Sequence, residues 1–202
     1  MVTARAYSNN IKEAYDPFAP PPEENTAYDW LHPPLAKLIQ ATSIKLVGDN
    51  SVGWRLPSAI FGTGIIAATF ALALVLFGPI VAIFAAAVLV FENLLLVMSR
   101  ITMNDVFVTF FIVCSFLFSY LYTKKRKLKY FFFTTLMLGL AVSSKWSGMY
   151  AILSVGLFFL IDMVNRKRFD PKVFLIIAVP FLIYVMSYAQ FWLNGYSIED
   201  FK

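Results

Sequence analysis

The chain has 202 residues, of which 59% are apolar and 17% aromatic, while only 14% carry a charge, against roughly 25% in an ordinary soluble domain. With a mean hydropathy of +0.70, a soluble globular domain is excluded, because a chain of this size has too little polar surface to cover so large a core. The net charge of +5 does not mark a nucleic-acid surface. Nine of the seventeen basic residues lie in two short runs, Lys124-Lys125-Arg126-Lys127-Leu128-Lys129 and Arg166-Lys167-Arg168 with Lys172. Both runs join apolar segments and read as cytoplasmic loops of a multispanning membrane protein.

Residues 1–31 are polar and irregular. Asp16-Pro17, Pro20-Pro21-Pro22 and Glu23-Glu24-Asn25 break any long helix, although Val2–Lys12 suits a short one. No apolar core of a cleavable signal peptide lies within residues 1–30. Pro33-Pro34 opens a helix through about Val47. Leu35, Leu38, Ile39, Thr42 and Leu46 fall on one face and Lys37, Gln40 and Lys45 lie off it, the pattern of a helix lying in a membrane interface. Gly48-Asp49-Asn50 ends it.

The first spanning segment is expected over Pro57–Phe77, with a tight break at Gly78-Pro79 and a second over Ile80–Met98. A polar corner, Ser99-Arg100-Ile101-Thr102-Met103-Asn104-Asp105, precedes the third, Val106–Tyr122. The apolar stretch from Tyr130 to Val164 is too long for one span of about 20 residues. Ser143-Ser144-Lys145-Trp146-Ser147-Gly148 divides it into segments over about 130–143 and 149–164. The last span is expected over Val173–Phe191, kinked at Pro180. The fold class is thus all-α, a polytopic membrane helix bundle of about six spans. Residues 1–56 form an outer loop with an interfacial helix, and residues 57–202 form the bundle. Cys114 is the only cysteine, so neither an internal disulfide nor a cysteine-based zinc site can form.

If Lys124–Lys129 is cytoplasmic, residues 1–56, Arg100–Asp105, Lys145 and Trp192–Lys202 are outer, and Gly78-Pro79 and Arg166–Lys172 are inner. The chain then starts outside with no span before it. The expectation is a piece of a longer protein, with a spanning helix upstream of Met1.

The outer face gathers Asp29, His32, Lys37, Arg55, Glu92, Arg100, Asp105 and Lys145. Charges at a membrane boundary need a partner or a task. Glu92 is expected either in the site or in a structural salt bridge with Arg100 or another basic group. Arg100 and Asp105 flank one corner, as site residues or as anchor and cap. Lys145 either serves the site or snorkels. Arg55 sits near a helix start, where a cation opposes the helix dipole, so it takes an external anion or anchors at the interface. His32 before two prolines is a turn residue or a ligand. As the sole histidine, it excludes a histidine-rich metal site within the chain. Several cations with interspersed carboxylates suit a lipid-linked phosphate substrate. The cations would hold the leaving phosphate and a carboxylate would take a proton from the attacking hydroxyl. A transporter vestibule would look similar.

Four elements then occur in one order on one side: Asp29-x-x-His32-Pro33-Pro34-Leu35-Ala36-Lys37, Trp54-Arg55-Leu56-Pro57-Ser58-Ala59, Ser99-Arg100-Ile101-Thr102-Met103-Asn104-Asp105 and Ser143-Ser144-Lys145-Trp146-Ser147-Gly148. Together they resemble the dolichyl-phosphate-mannose protein mannosyltransferases, within the GT-C class of membrane glycosyltransferases. The Arg-x-Pro-Ser element and the acidic corner are also similar to enzymes that transfer aminoarabinose to lipid A. The resemblance implies inverting transfer of a mannosyl or other glycosyl group from a polyprenyl or dolichyl phosphate donor to Ser or Thr hydroxyls of an acceptor protein. It implies an outer or luminal active face, in a plasma membrane of an archaeon or bacterium or in the endoplasmic reticulum membrane. Membrane lipid and pairing with a homologue are the further partners. No cofactor is required by the sequence, and metal use is left open.

By the same resemblance, the principal catalytic Asp-Glu pair falls just upstream of Met1. Asp105 matches the acidic residue of the second outer loop and is the catalytic candidate within the chain. Arg100 and Lys145 match donor-contacting positions, and His32, Lys37, Arg55 and Glu92 complete the substrate-binding set. The competing readings are a transporter or lipid-handling protein, for which no internal repeat is visible, and a catalytically inactive fragment.

Overall fold

The computed structural model describes residues 2–20 and 22–201 and is all-helical, with no strand among them. A short helix α1 (Val2–Ser8) and a 3-10 turn (Lys12–Tyr15) precede α2 (Leu35–Val47), α3 (Ser51–Phe77), α4 (Pro79–Val90) and α5 (Asn93–Arg100). Then come α6 (Asn104–Lys125), α7 (Leu128–Ser144), α8 (Gly148–Arg166), a 3-10 turn (Pro171–Phe174), α9 (Leu175–Ser187) and α10 (Ala189–Leu193). A final 3-10 turn covers Ile198–Phe201.

The punctuation residues act as their chemistry dictates. Gly48 ends α2 at φ 104 and Gly78 ends α3 at φ 90, conformations that cost glycine nothing. Pro79 opens α4 at its first position, where no amide hydrogen is needed. The first long helix starts at Ser51 rather than Pro57. The Asn50 side chain accepts from Val52 N and Gly53 N at 2.9 and 3.0 Å, which caps the helix six residues earlier than the proline suggests. Pro57 lies buried inside α3.

Three helices, α3, α6 and α8, are long and apolar enough to cross a membrane, and α4 with α5 makes a fourth if the bent pair is one span. Helix α7 has 17 residues, about 25 Å at the α-helical rise, short of the ~30 Å hydrocarbon core. The segment Pro171–Ser187 is likewise short. Length and composition therefore support three or four spans rather than six. The Pro180 segment is also not one helix through Phe191, because the chain leaves α9 at Tyr188 and restarts as α10.

Helices α6 and α7 form an antiparallel hairpin, closed by Arg126 in the left-handed conformation. Helix α3 packs on α6 and α9 packs on α7. The core at one end joins Phe107, Val108 and Phe111 of α6 to Ala36 of α2 and Ala141 of α7, with Phe61 inserted from α3. Phe61 meets Phe107, Phe110 and Phe111 at 4.8 to 5.4 Å. The opposite end is built from Tyr122, Phe131, Leu138, Val155, Phe159 and Ile176. Helix α5 approaches α3 closely, since a Cβ on Gly62 would lie 2.0 Å from Ser99 Oγ.

The face of α2 differs from its sequence pattern. The buried residues are Ala36, Gln40, Ala41 and Ile44, while Leu46 is exposed. Two alanines permit close backbone approach, and Gln40 is accepted inside because its amide finds a carbonyl, described below.

Candidate active site

The corner between α5 and α6 is short, and four other elements reach it. Helix α2 holds it from one side. Gln40, 1% exposed, donates from Nε2 to the Thr102 carbonyl at 3.0 Å. One turn earlier on the same face, Lys37 Nζ donates to Asn104 Oδ1 at 3.2 Å and pairs with Asp29 Oδ2 at 2.5 Å. Residues three apart on a helix are neighbours, so one face of α2 grips the corner twice. Asp29 is itself tied back to α1, its backbone N–H donating to Thr3 Oγ1 at 2.9 Å.

The corner α7–α8 holds it from another side. Helix α7 ends at Ser144, and Lys145 is extended, with φ −159 and ψ 143. Its Nζ lies 2.6 Å from Asp105 Oδ1. Gly148 allows this turn to fold tightly, since a Cβ there would come 2.5 Å from the Ala141 carbonyl carbon. Asp105 stands in the first turn of α6, where a carboxylate is favoured by the helix dipole. It keeps one oxygen free of the lysine.

The third side is cationic. Arg55 from α3 and Arg100 from the last turn of α5 line one cavity of about 250 Å³ with Val97 and Ile101. Neither guanidinium has an ion-pair or hydrogen-bond partner among the described residues. Two neighbouring cations without a carboxylate form an anion-receptive surface, and bidentate geometry suits a phosphate. Because α3 starts at Ser51, Arg55 lies beyond the first turn, and the helix dipole is no longer the reason for its need of an anion.

The structure thus joins Asp105 with Lys145, and Arg55 with Arg100, at one corner. It gives two of the other residues partners of their own. Lys37 is held by Asp29 and Asn104 and braces the corner. Glu92 forms no salt bridge with Arg100. The chain breaks at Phe91-Glu92, bending α4 and α5 by 59°, and the Glu92 carboxylate caps α5 by accepting from Leu94 N at 3.0 Å and Leu95 N at 2.5 Å. A carboxylate at a helix start satisfies orphan amides and matches the dipole. His32 is half-buried between Leu31 and the buried Pro33-Pro34, and its Nδ1 has no hydrogen-bond partner among the described residues. It makes no contact of that kind with the other site residues.

Sequence reasoning passed over Gln40, Asn104 and Thr102. The available signal was a polar pair three residues apart, Lys37 and Gln40, on a helix whose other buried positions are Ala36, Ala41 and Ile44. Thr102 has φ 56, a rare state for a β-branched residue and a local store of strain beside Asp105.

A family model described as dolichyl-phosphate-mannose-protein mannosyltransferase matches residues 31–190. The chain is 32% identical to a polyprenol-phosphate-mannose–protein mannosyltransferase of Corynebacterium glutamicum, over 87% of the chain and 42% of that relative. It is 24% identical to the protein of the same description from Mycolicibacterium smegmatis, over 89% of the chain and 43% of the relative. With that of Mycobacterium tuberculosis it shares 23%, over 88% and 42%. The chain spans less than half the length of these curated relatives.

Proposed function

The chain belongs to the dolichyl-phosphate-mannose-protein mannosyltransferase family, and from that premise we propose that it supplies the phosphate-binding side of a membrane glycosyltransferase. The reaction is inverting transfer of a mannosyl group from a polyprenyl phosphate to a Ser or Thr hydroxyl of a protein. The observation that carries this reading is the composition of the α5–α6 corner. A lysine-held carboxylate, Asp105, stands on the same corner as two arginines that line an acid-free cavity.

In the transfer, the acceptor oxygen forms a bond to the sugar's anomeric carbon as the bond from that carbon to the phosphate oxygen breaks. The hydroxyl proton passes to a carboxylate, and the leaving group becomes polyprenyl phosphate with one more negative charge. Arg55 and Arg100 stabilise that growing charge more than the ground state, which is the condition for acceleration. Asp105 presents its free oxygen to the hydroxyl of the acceptor, or of the sugar, while Lys145 fixes the carboxylate's direction. The corner faces the outer or luminal side of a multi-pass membrane protein in this reading, because the two basic runs lie at the other end of the bundle.

The test is transfer of radiolabelled mannose from polyprenyl phosphate to a Ser/Thr peptide in membranes carrying the protein. Arg55→Gln and Arg100→Gln are expected to reduce transfer by about a hundredfold each, as loss of one charge-stabilising donor does. Transfer at the wild-type rate by both variants would remove the arginines from the phosphate site. Movement of the donor across the membrane with no labelled peptide would replace the enzyme reading with a transporter.

A further inference from the structure

At the end of the bundle remote from Asp105, the turns α6–α7 and α8–α9 are fastened into one surface. Helix α6 has 22 residues, about 33 Å, and separates the two ends. Arg126 pairs with Asp162 at 2.5 Å, and Arg166 pairs with the same carboxylate at 2.8 Å. Arg166 also donates to the Thr123 carbonyl at 3.0 Å. Tyr122 donates to Asp170 at 3.2 Å, and Lys172 lies 3.3 Å from it.

Asp162 and Asp170 are the only acidic residues between Asp105 and Glu199, and this fastening occupies both. The remaining cations, Lys124, Lys125, Lys127, Lys129, Lys167 and Arg168, are all exposed and have no carboxylate partner among the described residues. Beside them, Phe169 and Phe174 are 71% and 66% exposed and stand edge to face at 6.3 Å, an exposed apolar pair next to the cations.

We propose that this fastened end is a binding surface for anionic phospholipid headgroups of the adjoining leaflet. The cations that lack a carboxylate gather the phosphates, Lys124, Lys125 and Lys129 from beside the rings of Tyr120 and Tyr130, and the Phe169–Phe174 pair enters the boundary between headgroups and acyl chains. The charge pattern of two separate loops accounts for orientation during insertion. It does not account for the ties that hold the loops together and consume both local carboxylates. A fixed cation cluster loses less freedom on meeting a headgroup than two independent loops would. The surface is distinct from the Arg55–Arg100 cavity, and its test needs no glycosyl transfer.

The protein, purified in a nonionic detergent, is heated with phosphatidylglycerol or with phosphatidylcholine at equal concentration, and unfolding is followed by tryptophan fluorescence. Phosphatidylglycerol at saturating excess is expected to raise the midpoint by about 5 °C more than phosphatidylcholine. Lys127→Gln/Lys129→Gln/Lys167→Gln/Arg168→Gln abolishes the difference. Lys127→Gln/Lys167→Gln, which alters one exposed residue per loop, reduces it, and Lys12→Gln/Lys45→Gln leaves it intact. Asp162→Asn separates geometry from net charge. It removes no cation, and it weakens the lipid effect if the fastening matters. An equal response to both lipids, or to inorganic phosphate in place of phosphatidylglycerol, overturns the proposal. So does a strengthened effect in Asp162→Asn, or a loss in the Lys12/Lys45 variant as large as that in the quadruple variant.

Discussion

Lys145 and Asp105 stand forty residues apart in sequence and 2.6 Å apart in space, and theirs is the only ion pair linking the α7–α8 corner to α6 among the described residues. Lysine and carboxylate are both partly exposed, at 27% and 44%, so the pair contributes little to folding. Its value is directional. Lys145→Ala and Asp105→Asn are each expected to lower glycosyl transfer by about tenfold or more while membrane insertion and the thermal midpoint stay near wild type. The double variant should lose little beyond the worse single one, because both act through one carboxylate direction. Simple multiplication of the two losses would show independent roles.

The Lys37–Asp29 pair is the more buried, with side chains 12% and 26% exposed. Lys37→Met should destabilise by about 2 kcal/mol, below the roughly 3–5 kcal/mol of a fully buried pair. It also strands Asn104 Oδ1. Replacing Asp29 by Asn in the same chain should return part of that loss. Chemical denaturation of the four proteins of this cycle measures it, and strict additivity would contradict the brace.

Gln40→Leu removes the buried amide that donates to the Thr102 carbonyl, at a cost of about 1 kcal/mol. Transfer should fall further than stability alone explains, because the corner that aims Asp105 is loosened. Thr102→Gly is the counterpart. It relieves the left-handed strain of a β-branched residue, worth about 1 kcal/mol or more, and should raise the midpoint while lowering transfer. A midpoint below wild type for Thr102→Gly would place the strain elsewhere.

Asp49 gives a pH dependence at the turn between α2 and α3. Its carboxylate accepts from the Trp54 indole at 2.5 Å and from Arg5 Nε at 3.0 Å, and the Arg5 guanidinium lies over the Trp54 ring. These contacts, the indole hydrogen bond first and Arg5 after it, hold its pKa below the ordinary 3.8 despite an opposing desolvation effect. A carboxylate with a lowered folded-state pKa contributes stability that is complete above the unfolded value. That contribution is lost as pH falls through the folded one. Trp54 fluorescence should therefore change only below about pH 4. Asp49→Asn should abolish that transition, and its persistence in the variant would assign it to another group.

The helices and most of their ends were legible because glycine, proline and the apolar periodicity decide them locally. Gly48, Gly78-Pro79 and the 143–148 break all fall where their backbone chemistry puts them. The start of α3 was misplaced because Pro57 is a stronger written signal than the Asn50 cap that wins. The charge of Glu92 suggests a cationic partner, whereas its carboxylate is taken by the backbone amides of Leu94 and Leu95, which periodicity does not reveal. The face of α2 was misread for a related reason. Hydrophobicity ranks Leu46 above Gln40, yet a buried amide with a carbonyl to meet outranks a leucine with nothing to cover. Pairs such as Lys145–Asp105 and Arg55–Arg100 depend on which helices are neighbours, and one sequence does not state that.

Gly62 has a consequence for selectivity. It lies two turns along α3 from Arg55, and its missing methyl lets Ser99, the residue before Arg100, settle against the helix. The approach of α5 to α3 beside the two arginines is therefore set by a methyl group that is not there. An alanine at 62 would push Ser99, and α5 with it, away from α3 and so move Arg100 relative to Arg55, reshaping the cavity that both line without removing either charge.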